Sequence, residues 1–125
     1  MRERGYRDEQ IVVFGFSLGS SPAVYASAMY PDLQKVIVVG GFSTFTDACL
    51  LLAPQLCSLI PDSFLDTEPF AATSQAPIEQ YHGDNDQIVD ISLGRKLNDF
   101  ITGPNTFTVF PGGHSEFNIV ELITQ

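Results

Sequence analysis

The sequence predicts an α/β fold: a single domain over residues 1–125 built on a parallel sheet of about four strands with helices on both faces. Two observations carry that prediction. Short runs of β-branched and aromatic residues alternate with longer runs of helical character, and a glycine-bearing turn closes each short run. The 125 residues leave room for one core, since domains run to roughly 100–150 residues. At 44% hydrophobic and 17% charged, the composition can build that core.

The first strand is Ile11-Val12-Val13-Phe14, four bulky residues in a row, as in a strand buried on both faces. Gly15 ends it. Residues 18–30 form the first helix, where Ala23, Val24, Ala26 and Ala28 suit close packing on a sheet and Pro22 falls near the first turn. The second strand is Val36-Ile37-Val38-Val39, closed by Gly40-Gly41. Residues 46–60 are expected to be helical, with Pro61 and Pro69 bracketing a loop. The third strand, Ile78-Glu79-Gln80-Tyr81, carries polar residues where a central parallel strand would have Val or Ile. Either it lies near an edge or those groups find partners. Ser92 is expected to cap a helix over 93–101, residues 106–110 make the fourth strand, and a last helix occupies 115–124.

Six Lys+Arg against fifteen Asp+Glu give a net charge of −9. No basic field is available for phosphates, so nucleic acid is not an expected partner. No apolar leader opens the chain and no run approaches the ~20 residues of a membrane span, so a cytoplasmic protein without a transmembrane segment is expected. Cys49 and Cys57, eight apart, match neither a CxxC redox motif nor a zinc knuckle and read as buried structural thiols. Two histidines and two scattered cysteines make no ligand set, so neither a metal nor another cofactor is expected.

Chemistry gathers in the turns. Gly15-Phe16-Ser17-Leu18-Gly19 is a G-x-S-x-G at a strand-to-helix junction, where glycines two residues either side let strand and helix approach and the serine Oγ project above the sheet. The Leu18 N–H opens the helix, where positive dipole and free amide can receive a developing oxyanion. A Gly-rich turn with an incidental serine, or a phosphate-cradling turn, would look the same. A second motif, His82-Gly83-Asp84-Asn85-Asp86, follows the third strand, and Pro111-Gly112-Gly113-His114 follows the fourth. In a parallel sheet all three turns emerge at the carboxyl edge, where open α/β folds bind ligands.

The order Ser17, Asp86, His114 is that of an α/β-hydrolase triad, and the run from Ile11 through Gly15 and Gly19 to Ala23 resembles that superfamily's fifth strand, nucleophile elbow and following helix. The resemblance covers nearly the whole chain but only the family's carboxyl-terminal half, a partial α/β-hydrolase fold. Gly41-Phe42-Ser43-Thr44-Phe45-Thr46-Asp47-Ala48, with Pro61-Asp62-Ser63-Phe64, is similar to the small-lid intracellular serine hydrolases, which include acyl-protein thioesterases and serine-peptidase-like members. The resemblance implies Ser17 as nucleophile, His114 as general base, Asp86 as its orienting acid and Leu18 as one oxyanion donor. The implied reaction cleaves an ester or thioester of a small-molecule or acylated substrate; a peptidase or lipase would use the same residues. The G-x-x-D spacing selects Asp86 over Asp84 and Asp90, while His82, at a strand end, reads as a structural histidine.

The family's earlier strands and its second oxyanion donor have no counterpart here. The edge of Ile11-Val12-Val13-Phe14 is therefore expected to be bare, awaiting the missing amino-terminal half or a partner chain. Three readings stay open: a fragment, a half completed by another chain, or a non-catalytic hydrolase-like module that binds a partner through that edge. The leucines of 50–56 line an acyl pocket or simply pack a helix on the sheet.

Overall fold

The computed structural model describes residues 4–52, 54–59 and 66–124. Its elements are β1 (Val12–Phe16), α1 (Ser20–Met29), β2 (Lys35–Val39), α2 (Phe45–Leu52), α3 (Glu68–Ala71), β3 (Ile78–Gly83), α4 (Ile91–Phe100), β4 (Asn105–Phe110) and α5 (Ile119–Thr124), with short 3-10 turns at Asp8–Gln10, Ser17–Gly19 and Pro54–Leu59. The four strands form one sheet in the order β1-β2-β3-β4, every pair parallel. Among the described residues, no helix is long and apolar enough to cross a membrane.

Alternation of side chains along the strands divides the core into two layers. On one face Val13, Val36, Val38 and Ile78 pack with Ala23 and Val24 of α1, Ala71 of α3 and Leu97 of α4. On the other, Val12, Phe14, Ile37, Val39 and Tyr81 meet Phe117 and Leu122 of the carboxyl-terminal segment. All five residues of β2 are buried, whereas only Gly15 is buried in β1, which stands at the end of the strand order. The four bulky residues that predicted a fully buried strand thus lie half-buried along an edge.

β3 is central, and its polar residues find partners. Glu79 pairs with the Lys35 ammonium at 3.2 Å and accepts from the Tyr81 hydroxyl at 2.9 Å, while the Gln80 amide donates to the Gly94 carbonyl at 2.8 Å. Burial, with the Glu79 carboxylate beside it, pushes the Tyr81 phenol up to about 12. These contacts satisfy the charged pair and the Gln80 amide nitrogen, groups that an interior would otherwise penalise, while Gln80 Oε1 is buried with no partner among the described residues.

Four other expectations are corrected. The helix expected over 46–60 is split: α2 ends at Leu52 and a 3-10 segment covers Pro54–Leu59, consistent with proline's missing N–H and its steric effect on the preceding residue. Cys49 and Cys57 are not free thiols but a disulfide joining those two pieces. Asp90, not Ser92, caps α4, its carboxylate accepting from the Ser92 amide and hydroxyl at 3.0 and 2.6 Å, and these bonds lower its pKa. The last helix is shorter than expected, beginning at Ile119 behind Asn118, whose side chain accepts from the Val120 and Glu121 amides. Residues 60–65, with Pro61 and the Pro61-Asp62-Ser63-Phe64 motif, lie outside the described residues, as do most side chains of the Leu-rich 50–56 run.

Candidate active site

β1 hands over to α1 through the single turn Ser17–Gly19. Ser17 has φ +55° and is the only non-glycine residue with positive φ among those described. That conformation costs an L-residue about 1–2 kcal/mol, so the surrounding packing must hold the serine there. The packing is visible one turn back, where a side chain on Gly15 would collide with the Gly19 carbonyl oxygen and lie 2.6 Å from Ala23 Cβ. Crowding is one-sided, however. Gly19 has open space where its own side chain would be, and its carbonyl is what fills the room left by Gly15. Leu18 follows the serine with its side chain half exposed.

Asp86 lies in the turn after β3 with its carboxylate fully buried. Oδ1 accepts from the Ile88 and Val89 amides at 2.9 and 2.8 Å, and Oδ2 stands 2.6 Å from His114 Nδ1. The two neighbouring acids do other work: Asp84 accepts from the Gly112 amide at 3.0 Å, tying the β3 turn to the β4 turn, and Asp90 is the α4 cap. Of the three, Asp86 is the one that meets a histidine.

The imidazole of His114 is held from two further sides. Its ring centroid is 4.8 Å from that of Phe16, which itself packs against Phe117 at 5.3 Å. It also rests on Gly40 at the end of β2, where φ is +61° and a Cβ would come within 2.9 Å of the imidazole Cε1. His114 and Asp86 are thus brought into direct contact, and Ser17 is brought to the same edge as the residue following Phe16. With Nδ1 engaged by Asp86, Nε2 is the nitrogen left for a serine hydroxyl. Gly40 and the Ile88 and Val89 amides were not singled out from sequence: a glycine pair after a strand reads as an ordinary turn, and backbone amides carry no residue signature. Among the described residues no group of three His, Cys, Asp or Glu side chains is placed to hold a metal ion.

Residues 2–120 match the phospholipase/carboxylesterase family. Among solved structures, the chain superposes on the esterase domain of a Rhodothermus marinus protein with TM-score 0.66 at 23% identity, covering 86% of this chain and 52% of that one. Arabidopsis thaliana SOBER1 gives TM-score 0.64 at 23% identity over 98% of this chain and 53% of that one. The Pyrococcus horikoshii acylaminoacyl peptidase gives 0.73 at 16% over 90% and 21%. Likeness at these identities speaks for the fold. A 56-residue stretch is also 34% identical to the Caenorhabditis elegans protein F37A4.1, covering 45% of this chain and 12% of that protein. The chain therefore spans about half the length of the first two solved structures and a smaller share of the other two proteins.

Proposed function

The chain belongs to the phospholipase/carboxylesterase family of α/β-hydrolases, and from that premise we propose that it is the catalytic half of a serine hydrolase acting on carboxylic ester or thioester bonds through Ser17, His114 and Asp86. The observation that carries the reading is the 2.6 Å contact between His114 Nδ1 and the buried Asp86 carboxylate, on the sheet edge where Ser17 is the one described non-glycine residue with a left-handed backbone. In the proposed reaction the Ser17 hydroxyl attacks the acyl carbon while its proton passes to His114 Nε2. Electrons of the carbonyl move onto oxygen, which the Leu18 N–H receives in the 3-10 turn that leads into α1. Collapse of that intermediate expels the alcohol or thiol, protonated by His114, and leaves an acyl-serine. Water, giving its proton to the same nitrogen, then releases the acid. Asp86 fixes the Nδ1–H tautomer and stabilises the imidazolium formed in each half.

Labelling by a fluorophosphonate probe tests this. The chain is expected to label at Ser17, with labelling lost in Ser17→Ala and kept in Ser20→Ala, whose hydroxyl is buried and unpartnered in the described structure. Equal labelling of both variants would end the proposal. The acylaminoacyl peptidase likeness keeps a peptidase reading beside it, and comparing an acyl ester with the matching amide separates the two.

The free edge of β1 favours a further element of this reading: an amino-terminal half or a partner chain pairs along Val12–Phe16 and supplies the second oxyanion donor. Slow amide exchange of β1 in the chain alone would refute it. A cytoplasmic setting belongs to the same proposal, but the Cys49–Cys57 bridge weighs against it, because disulfides persist chiefly in oxidising compartments; thiol mapping in cells decides, a reduced pair supporting the setting and an oxidised pair overturning it.

A further inference from the structure

The triad reading leaves one histidine unused. His82, the penultimate residue of β3, is completely buried, and its Nε2 lies 2.7 Å from the Val89 carbonyl oxygen and 3.3 Å from Asp86 Oδ2. A carbonyl only accepts, so Nε2 carries the hydrogen. Nδ1 has no partner among the described residues and faces Gly94 of α4, where a side chain would collide with that nitrogen. Phe107 stacks on the ring at 6.5 Å, with the Arg95 guanidinium 5.0 Å above Phe107, and the Gln80 amide pins the Gly94 carbonyl from below. The imidazole therefore has one orientation. An apolar side chain would fill this space without leaving a buried nitrogen unpartnered, so what the histidine adds is the Nε2–H.

We infer that His82 is a positioning residue for Asp86, a conclusion that rests on the triad reading above. Val89 is gripped at both ends of its backbone: its carbonyl accepts from His82, while its amide donates to Asp86 Oδ1. The hydrogen of Nε2 goes to that carbonyl, and the same nitrogen also stands 3.3 Å from Oδ2, the oxygen that faces His114. With the turn 84–89 tied to β3 through this hydrogen, the carboxylate is held from rotating away from the imidazole. A buried carboxylate needs such donors on every side to stay in one position.

The test compares wild type, Ser17→Ala, His82→Leu and His82→Gln as full 125-residue chains, each kept below its unfolding temperature. Two readouts are taken: the rate of fluorophosphonate labelling and the water-exchange rate of the His114 Nδ1 proton by NMR. His82→Leu is expected to label about 10–100-fold more slowly, as small misplacements of catalytic groups do, and to exchange the His114 proton faster. His82→Gln, whose amide nitrogen reaches close to the Nε2 position, is expected to restore most of both. Wild-type behaviour of His82→Leu in either readout overturns the inference, and so does a folded His82→Gln as impaired as His82→Leu. If wild type fails to label or Ser17→Ala still labels, the triad reading falls, and the proton-exchange comparison alone decides the role of His82. If His82→Leu does not fold, His82→Gln is compared with His82→Asn, whose shorter amide cannot reach Val89; equal rates then overturn it.

Discussion

Gly40 and His114 occupy one space: the imidazole rests where any side chain at position 40 would stand, with a built Cβ 2.9 Å from Cε1 and 3.0 Å from Nδ1. The backbone of Gly40 is also left-handed, at φ +61°, so a substitution is opposed by both strain and contact. Gly40→Ala is expected to destabilise the fold by about 1–3 kcal/mol and to slow fluorophosphonate labelling more than tenfold. Urea melts and labelling rates measured side by side check it. A variant that loses stability but labels at the wild-type rate would show that His114 does not need this wall.

Asp86 is expected to be the one acid whose charge the chemistry needs. In Asp86→Asn the amide can present a donor to Nδ1 and favour the wrong imidazole tautomer, and losses near 10⁴-fold in rate accompany such a change in other triads. Asp84→Asn disturbs the bond to the Gly112 amide and is expected to cost far less. Asp90→Asn is expected to act on the stability of α4, not on rate. Labelling kinetics of the three variants, with thermal melts, separate these outcomes.

The Cys49–Cys57 bridge closes a short loop between α2 and the Pro54–Leu59 turn. Chain-entropy arguments give such a loop about 2–3 kcal/mol of stabilisation. Reduction, or the double change Cys49→Ser with Cys57→Ser, is expected to lower stability by that amount in denaturant titrations. Because Phe45 of α2 packs with Phe42 and Val89, the same change is expected to loosen the turn that carries Asp86, seen as faster amide exchange at Val89.

Tyr81 gives a pH dependence with a definite sign. Its phenol is raised from the ordinary 10.0 to about 12 by burial and by Glu79, so between those values the unfolded chain loses the proton while the folded chain keeps it. Stability is therefore full below pH 10 and falls as pH rises toward 12. Of the four tyrosines, this one is expected to ionise last in an absorbance titration. Tyr81→Phe should remove both that late step and its share of the alkaline loss.

The strands of 11–14, 36–39 and 106–110 announced themselves because β-branched and aromatic runs are punctuated by glycine, and their parallel order followed from the intervening helices. The third strand was ambiguous because Glu79 and Gln80 look like edge residues until Lys35 and the Gly94 carbonyl, distant in sequence, are seen beside them. The cap of α4 is not legible locally, since Asp90 and Ser92 carry equal capping chemistry and only backbone geometry chooses between them. The cysteines read as thiols because nothing in an eight-residue spacing shows that α2 breaks before Pro54 and folds back.

The sequence by itself determined the sheet, the order of its turns and the residue types set on its carboxyl edge, because periodicity and turn chemistry act over a few neighbours. The motif spacing already pointed to Asp86 over Asp84 and Asp90, but only the tertiary structure decided that its carboxylate is buried within 2.6 Å of His114, that Gly40 clears the space for the ring, and that His82 lies behind the acid. Those pairings depend on how β2, β3 and β4 align in the sheet. Contacts between residues tens of positions apart are set by packing, which no local run of the chain encodes.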